Sequence, residues 1–219
     1  MMDIRWDILA EYAPFFAKGT LLTIGLSLVS IIIGCLLGLF IGLGKLTKNK
    51  WIAFPFNCYI TFFRGTPLLV QILLVHFGLV PLFVGETNGI IAAITALSLN
   101  SAAYVAEIFR AGIQSIDKGQ MEAARSLGMN HVQAMRFVIL PQALKRMIPP
   151  LGNEFIVLIK DSSLAAIIAV KELMYWGQAM QGQYYRAWEP YITAALIYLV
   201  LTFSLSLLLS RLERRLATE

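Results

Sequence analysis

The chain has 219 residues, 58% of them hydrophobic and only 14% charged, with a net charge of +5. That balance excludes a soluble domain of ordinary composition and points to an integral membrane protein. The positive charge does not require nucleic acid, because the basic residues gather beside the apolar runs.

Residues 3–16 read as a short amphipathic helix at the outer surface, with Trp6, Tyr12, Phe15 and Phe16 as interfacial aromatics. Asp3, Asp7 and Glu11 stand where a cleavable signal peptide has basic residues, and the apolar run that follows is too long for one. A first span is predicted at about 19–44, without a charge and long enough to cross a bilayer. Within it Gly34, Gly38 and Gly42 have the spacing that lets another helix backbone come close.

A second span at about 52–80 contains Arg64, with a kink expected at Pro67, which lacks a backbone donor. A short outer connection with Pro81, Gly85 and Gly89 leads to a third span at about 88–111. The polar stretch at about 112–146 is a loop. Pro149-Pro150 then marks the start of a fourth span at about 147–170, which Glu154, Lys160 and Asp161 interrupt. An outer loop at 171–189 precedes the fifth span, at about 190–210. The expected fold is all-α and membrane-embedded, one domain over 1–219 with five transmembrane helices, because backbone groups in lipid must be satisfied within each helix. The alternating strands of a β-barrel are missing.

Twelve Lys and Arg residues flank one side of these spans, among them Lys45, Lys48, Lys50, Lys145, Arg146 and Arg211, against four (Arg5, Lys18, Lys171 and Arg186) on the other. The positive-inside rule therefore puts the N-terminus outside and the C-terminus in the cytoplasm, with Arg211–Arg215 on the anionic inner leaflet. Cys35 and Cys58 lie in apolar runs and read as small core residues rather than a disulfide.

No catalytic constellation is present in the sequence. His76 and His131 are too sparse for a metal site, and no serine occupies a nucleophile elbow. A near match to a phosphate-binding loop fails at Leu39 and Leu46. The intramembrane charges are more informative, since a charge in a bilayer is costly and usually functional. Arg64 counts to roughly 20 Å from the cytoplasmic face and Glu154 to roughly 12 Å, near the depth of Asn100. A polar pocket of Arg64, Asn100, Ser101, Tyr104 and Glu154 follows, with direct pairing of Arg64 and Glu154 as the alternative. Glu107 reads as a salt-bridge partner of Arg110, three residues on.

The loop holds Glu122-Ala123-Ala124-Arg125-Ser126-Leu127-Gly128, with Val138-Ile139-Leu140-Pro141 ten residues beyond Gly128. Small residues beside an acid, then a glycine, describe a short helix that another protein can approach. The layout resembles the EAA signature of permease subunits of ABC importers, with Val138 where isoleucine is usual. Arg64–Gln71, Asn100–Glu107, Gly152–Phe155 and Lys160–Leu164 are similar to segments of the histidine/glutamine/arginine-type polar amino acid permeases. That resemblance, over roughly 14–212, implies a type I importer fold in the bacterial inner membrane.

It also implies two cytoplasmic ABC ATPases, a homodimer or heterodimer of permeases, and an extracytoplasmic amino-acid-binding protein. Glu122, Ala123, Ala124 and Gly128 are the expected ATPase-coupling residues. ATP and Mg belong to the ATPase, so no cofactor is expected in this chain. The implied cargo is a polar amino acid, read here as cationic (arginine, lysine or histidine) from Glu154, with glutamine as the alternative. A stand-alone ion-coupled carrier or channel is the rival from another class, but it leaves the EAA loop without a purpose.

Overall fold

The computed structural model describes residues 4–47 and 49–217, so expectations that touch Asp3 and Lys48 lie outside the described residues. All regular structure among the described residues is helical.

Helix α1 runs unbroken from Trp6 to Lys45, 40 residues, through Pro14. At 1.5 Å per residue that is about 60 Å, twice the apolar core of a bilayer. The expected surface helix and first span are therefore one element. Tertiary packing explains it: Tyr12 and Phe16 do not sit at an interface but are buried with Ile8, Leu173, Met180 and Ala194. That burial carries the helix across the proline.

Helix α2 (Lys50–Gly65) starts at Asn49, whose side chain accepts the Trp51 N–H. Thr66 is extended, and α3 (Leu68–Leu74) follows Pro67. A π-helical turn, Val75–Leu79, joins α3 to α4 (Val80–Val84), which ends at Gly85 with φ +86°. The second apolar run is thus a corner of 110°, well beyond the expected kink.

Helix α5 (Gly89–Gln114) is capped by Asn88 and lies along α1. The loop folds as α6 (Lys118–Ser126) and α7 (His131–Ala134), and a second π-helical turn, Met135–Ile139, leads into α8 (Leu140–Asp161). Ser162–Ile168 tightens into a 3-10 helix, then come α9 (Leu173–Tyr184) and α10 (Trp188–Ala217). The helix expected as the fourth span accordingly starts earlier, at Leu140, and stops at Asp161. Pro149 and Pro150 lie inside α8 and do not start it, because buried Ala143 and Met147 already anchor the preceding turns.

The two π-turns share a cause. Each precedes a proline by two residues, in Val75-His76-Phe77-Gly78-Leu79-Val80-Pro81 and in Met135-Arg136-Phe137-Val138-Ile139-Leu140-Pro141. A proline ring crowds the carbonyl four residues earlier, Phe77 or Phe137. Widening the ladder so that Val80 N–H reaches Val75 O, and Leu140 N–H reaches Met135 O, makes room for it.

The glycine spacing of α1 serves its contact with α5. A Cβ on Gly34 would lie 3.0 Å from Ser101, and one on Gly38 would lie 2.6 Å from Val105 Cγ1 and 2.9 Å from Ala102 O. Opposite them Ala102, Val105 and Ala106 are fully buried. Among the described residues α1, α5 and α10 are each long and apolar enough to cross a membrane, and the α2–α4 corner makes a fourth candidate. Helix α8 is more polar than these, and it turns Arg146, Asn153 and Glu154 toward one cavity.

Candidate functional site

Helices α2, α5 and α8 line a broadly open cavity of about 560 Å³. Arg64, Tyr104, Glu107, Arg110, Arg146, Asn153 and Glu154 contribute its polar lining. Three of the five residues expected at the pocket, Arg64, Tyr104 and Glu154, therefore share one space.

The Arg64 guanidinium lies over the Tyr104 ring, 5.2 Å from its centroid, and 3.7 Å from Glu107 Oε2. Cation and ring at this separation attract each other. Glu107 also pairs with Arg110 at 3.0 Å, as the sequence suggests, and with Lys45 at the end of α1. Arg64 and Glu154 do not pair. Counting about 1.5 Å per residue puts Arg64 some 20 Å along α2 from Lys50, and Glu107 only about 10 Å along α5 from Gln114. The two nevertheless meet, so depth counted along each helix from its own end separates them wrongly.

Glu154 is buried and faces the cavity, and among the described residues no basic side chain pairs with it. Ser101 lies behind it, fully buried against Gly34. Its hydroxyl neighbours the Glu154 carboxyl without closing a hydrogen bond of ordinary geometry.

Asn100 does not line the cavity. Its amide donates to Phe63 O at 3.2 Å and to Gln71 Oε1 at 2.9 Å. Asn153 and Arg146 are lining residues that sequence reasoning missed. Asn153 follows Gly152 inside a segment already singled out, and its place directly before Glu154 was the available signal.

A second candidate surface lies on the loop. Asp117 caps α6 by accepting the Gly119 N–H at 2.7 Å. The helix ends with Gly128 N–H on Arg125 O and Met129 N–H on Ala124 O, at 3.1 and 3.2 Å, and with Gly128 at φ +87°. This paired closure requires a left-handed residue, which is why glycine stands there. Ala124 is buried against the rest of the chain, while Glu122, Ala123 and Gly128 are exposed. Leu127, 82% exposed, projects beside them.

Residues 30–218 match the family described as binding-protein-dependent transport system inner membrane component. The chain is 42% identical over 202 residues to the probable amino-acid ABC transporter permease protein YckA of Bacillus subtilis, covering 90% of this chain and 89% of that one. It is 40% identical to the arginine transport system permease protein ArtQ of the same organism, over the full length of both. Against the glutamine transport system permease protein GlnP of Escherichia coli it is 38% identical over 98% of each. The crystal structure of an amino acid ABC transporter with histidines superposes with a TM-score of 0.92 at 46% identity, over 98% of this chain and all of that one. The inward-facing MetNI methionine transporter shares the fold, with a TM-score of 0.81 at 22% identity over 94% of this chain and 98% of that one.

Proposed function

Because the chain belongs to the inner-membrane components of binding-protein-dependent transport systems, and is an amino acid ABC importer permease, we propose that its cargo is a cationic amino acid held between Arg64 and Glu154. One observation carries this reading: Glu154 is a buried acid on the cavity wall with no basic partner among the described residues. An amino acid stripped of water needs a partner for each charge it brings. The planar fork of Arg64 suits the α-carboxylate, and release from Glu107 frees it to turn. Glu154 then receives the side-chain cation.

The permease works by alternating access, driven by ATP on two separate ATPase subunits that grip α6 and the Gly128 turn. Five spans cross the membrane, with the N-terminus outside, where a binding protein delivers the amino acid. α8 supplies the fourth span, its polar face turned to the cavity. Whether the second permease is another copy or a related chain does not alter this assignment.

Glu154→Gln removes the charge and nearly preserves the shape. In the importer reconstituted with its ATPase and binding protein, arginine uptake should fall at least tenfold while any glutamine uptake persists, as loss of a charged hydrogen bond of about 1.5–3 kcal/mol implies. Equal loss for both would assign Glu154 to the α-ammonium. Unchanged uptake of both would remove it from the site.

A further inference from the structure

The corner between α2 and α3 leaves a carbonyl without its helical partner. Phe63 O would accept the N–H of residue 67 in a continuing helix, but Pro67 has none. In an apolar surround an unmet carbonyl costs about 1–3 kcal/mol. Two side-chain amides meet it. Gln71 Nε2 donates to Phe63 O at 2.9 Å, and also to Thr66 O at 3.1 Å and Thr66 Oγ1 at 2.9 Å. Asn100 Nδ2 donates to the same Phe63 O and holds Gln71 through its Oε1. Both amides are buried. The next residue along α2 is Arg64.

Helix α5 completes the arrangement. Asn100, Tyr104 and Glu107 recur on one face of it at helical spacing. The first holds the backbone of the corner, the second lies under the Arg64 guanidinium and the third pairs with it. The eight-residue segments Arg64–Gln71 and Asn100–Glu107 therefore meet end to end, first residue to last and last to first.

Resting on the assignment of Arg64 to the substrate carboxylate, we propose that Gln71 and Asn100 are positioning residues: they fix the carbonyl before Arg64 and so set the affinity of the site without touching the substrate. Gln71→Met and Asn100→Leu keep the volume and remove the donors. In the complete reconstituted importer each should raise KM for arginine about tenfold while kcat stays within about twofold, as the loss of a buried hydrogen bond implies. In an Arg64→Ala background neither should raise KM further, because the residue they act through is gone.

Thr66→Val, which leaves both bonds to Phe63 O in place, should keep KM within about twofold and shows that the carbonyl is what matters. A full tenfold rise from Gln71→Met in the Arg64→Ala background, or an equal rise from Thr66→Val, would overturn positioning and leave only general loosening. An Arg64→Ala importer with unchanged KM would instead remove Arg64 from the site, and the inference with it. If Gln71→Met does not assemble, Asn100→Leu in the same cycle decides.

Discussion

Helix α5 has two working faces, and they are built on opposite principles. Toward α1 it presents Ala102, Val105 and Ala106, which leave no space beyond the glycines facing them. Toward α2 and α8 it presents Tyr104 and Glu107, which meet charged groups across a cavity with room for a small solute. On the first face shape decides everything, because lipid and side chain are equally apolar and only close backbone approach is gained. On the second, charge decides: Glu107 has Lys45, Arg64 and Arg110 within reach. Seam residues therefore resist substitution of size, and cavity residues resist substitution of charge.

The largest effect is expected at the seam. Gly38→Val sets a branched side chain against Val105 and the Ala102 carbonyl, and backbone cannot move aside. Overpacking costs about 1–3 kcal/mol, and against backbone the upper end of that range applies. The yield of monodisperse protein in detergent should collapse, and a normal yield with an unchanged melting temperature would break the contrast.

On the cavity face Glu107→Gln leaves Lys45, Arg64 and Arg110 around a neutral amide. Removing one member of a partly buried pair, still reached by water, should cost about 2 kcal/mol, visible as a lowered melting temperature that salt partly restores. A melting temperature equal to that of the unmodified protein would show that this cluster is only solvated charge.

The smallest effect sharpens the boundary between the two faces. Ser101 Oγ is buried without a hydrogen bond, so Ser101→Ala should leave stability within about 0.5 kcal/mol or raise it slightly. Arginine uptake should keep its KM. A clear rise in KM would return Ser101 to the substrate, as its sequence position alone suggests.

The helical class, the glycine seam, the Gly128 turn and the shared lining of Arg64, Tyr104 and Glu154 were legible because each rests on local chemistry. Apolar length, small-residue spacing and a left-handed glycine are properties of short segments. Asn100 was not. A polar residue in an apolar span looks the same in sequence whether it answers a ligand or a neighbouring carbonyl. The clue was Pro67, which orphans Phe63 O, but matching that carbonyl to an amide 37 residues away needs the tertiary fold. The 110° corner was hidden for the same reason: proline marks where a helix breaks, and packing sets the angle. Tyr12 and Phe16 illustrate the reverse case, aromatics with the pattern of an interface and the burial of a core.

The π-turn at Met135–Ile139 has a bearing on chain length. Such a turn contains one residue more than the α-turn that would replace it. Deleting one residue there closes the bulge to an ordinary turn and leaves everything downstream in register. Deleting one anywhere between Pro141 and Asn153 rotates the rest of α8 by about 100° and swings Glu154 off the cavity wall. Single-residue gaps between functional relatives should therefore concentrate at the two bulges and avoid the helix between the second bulge and the acid.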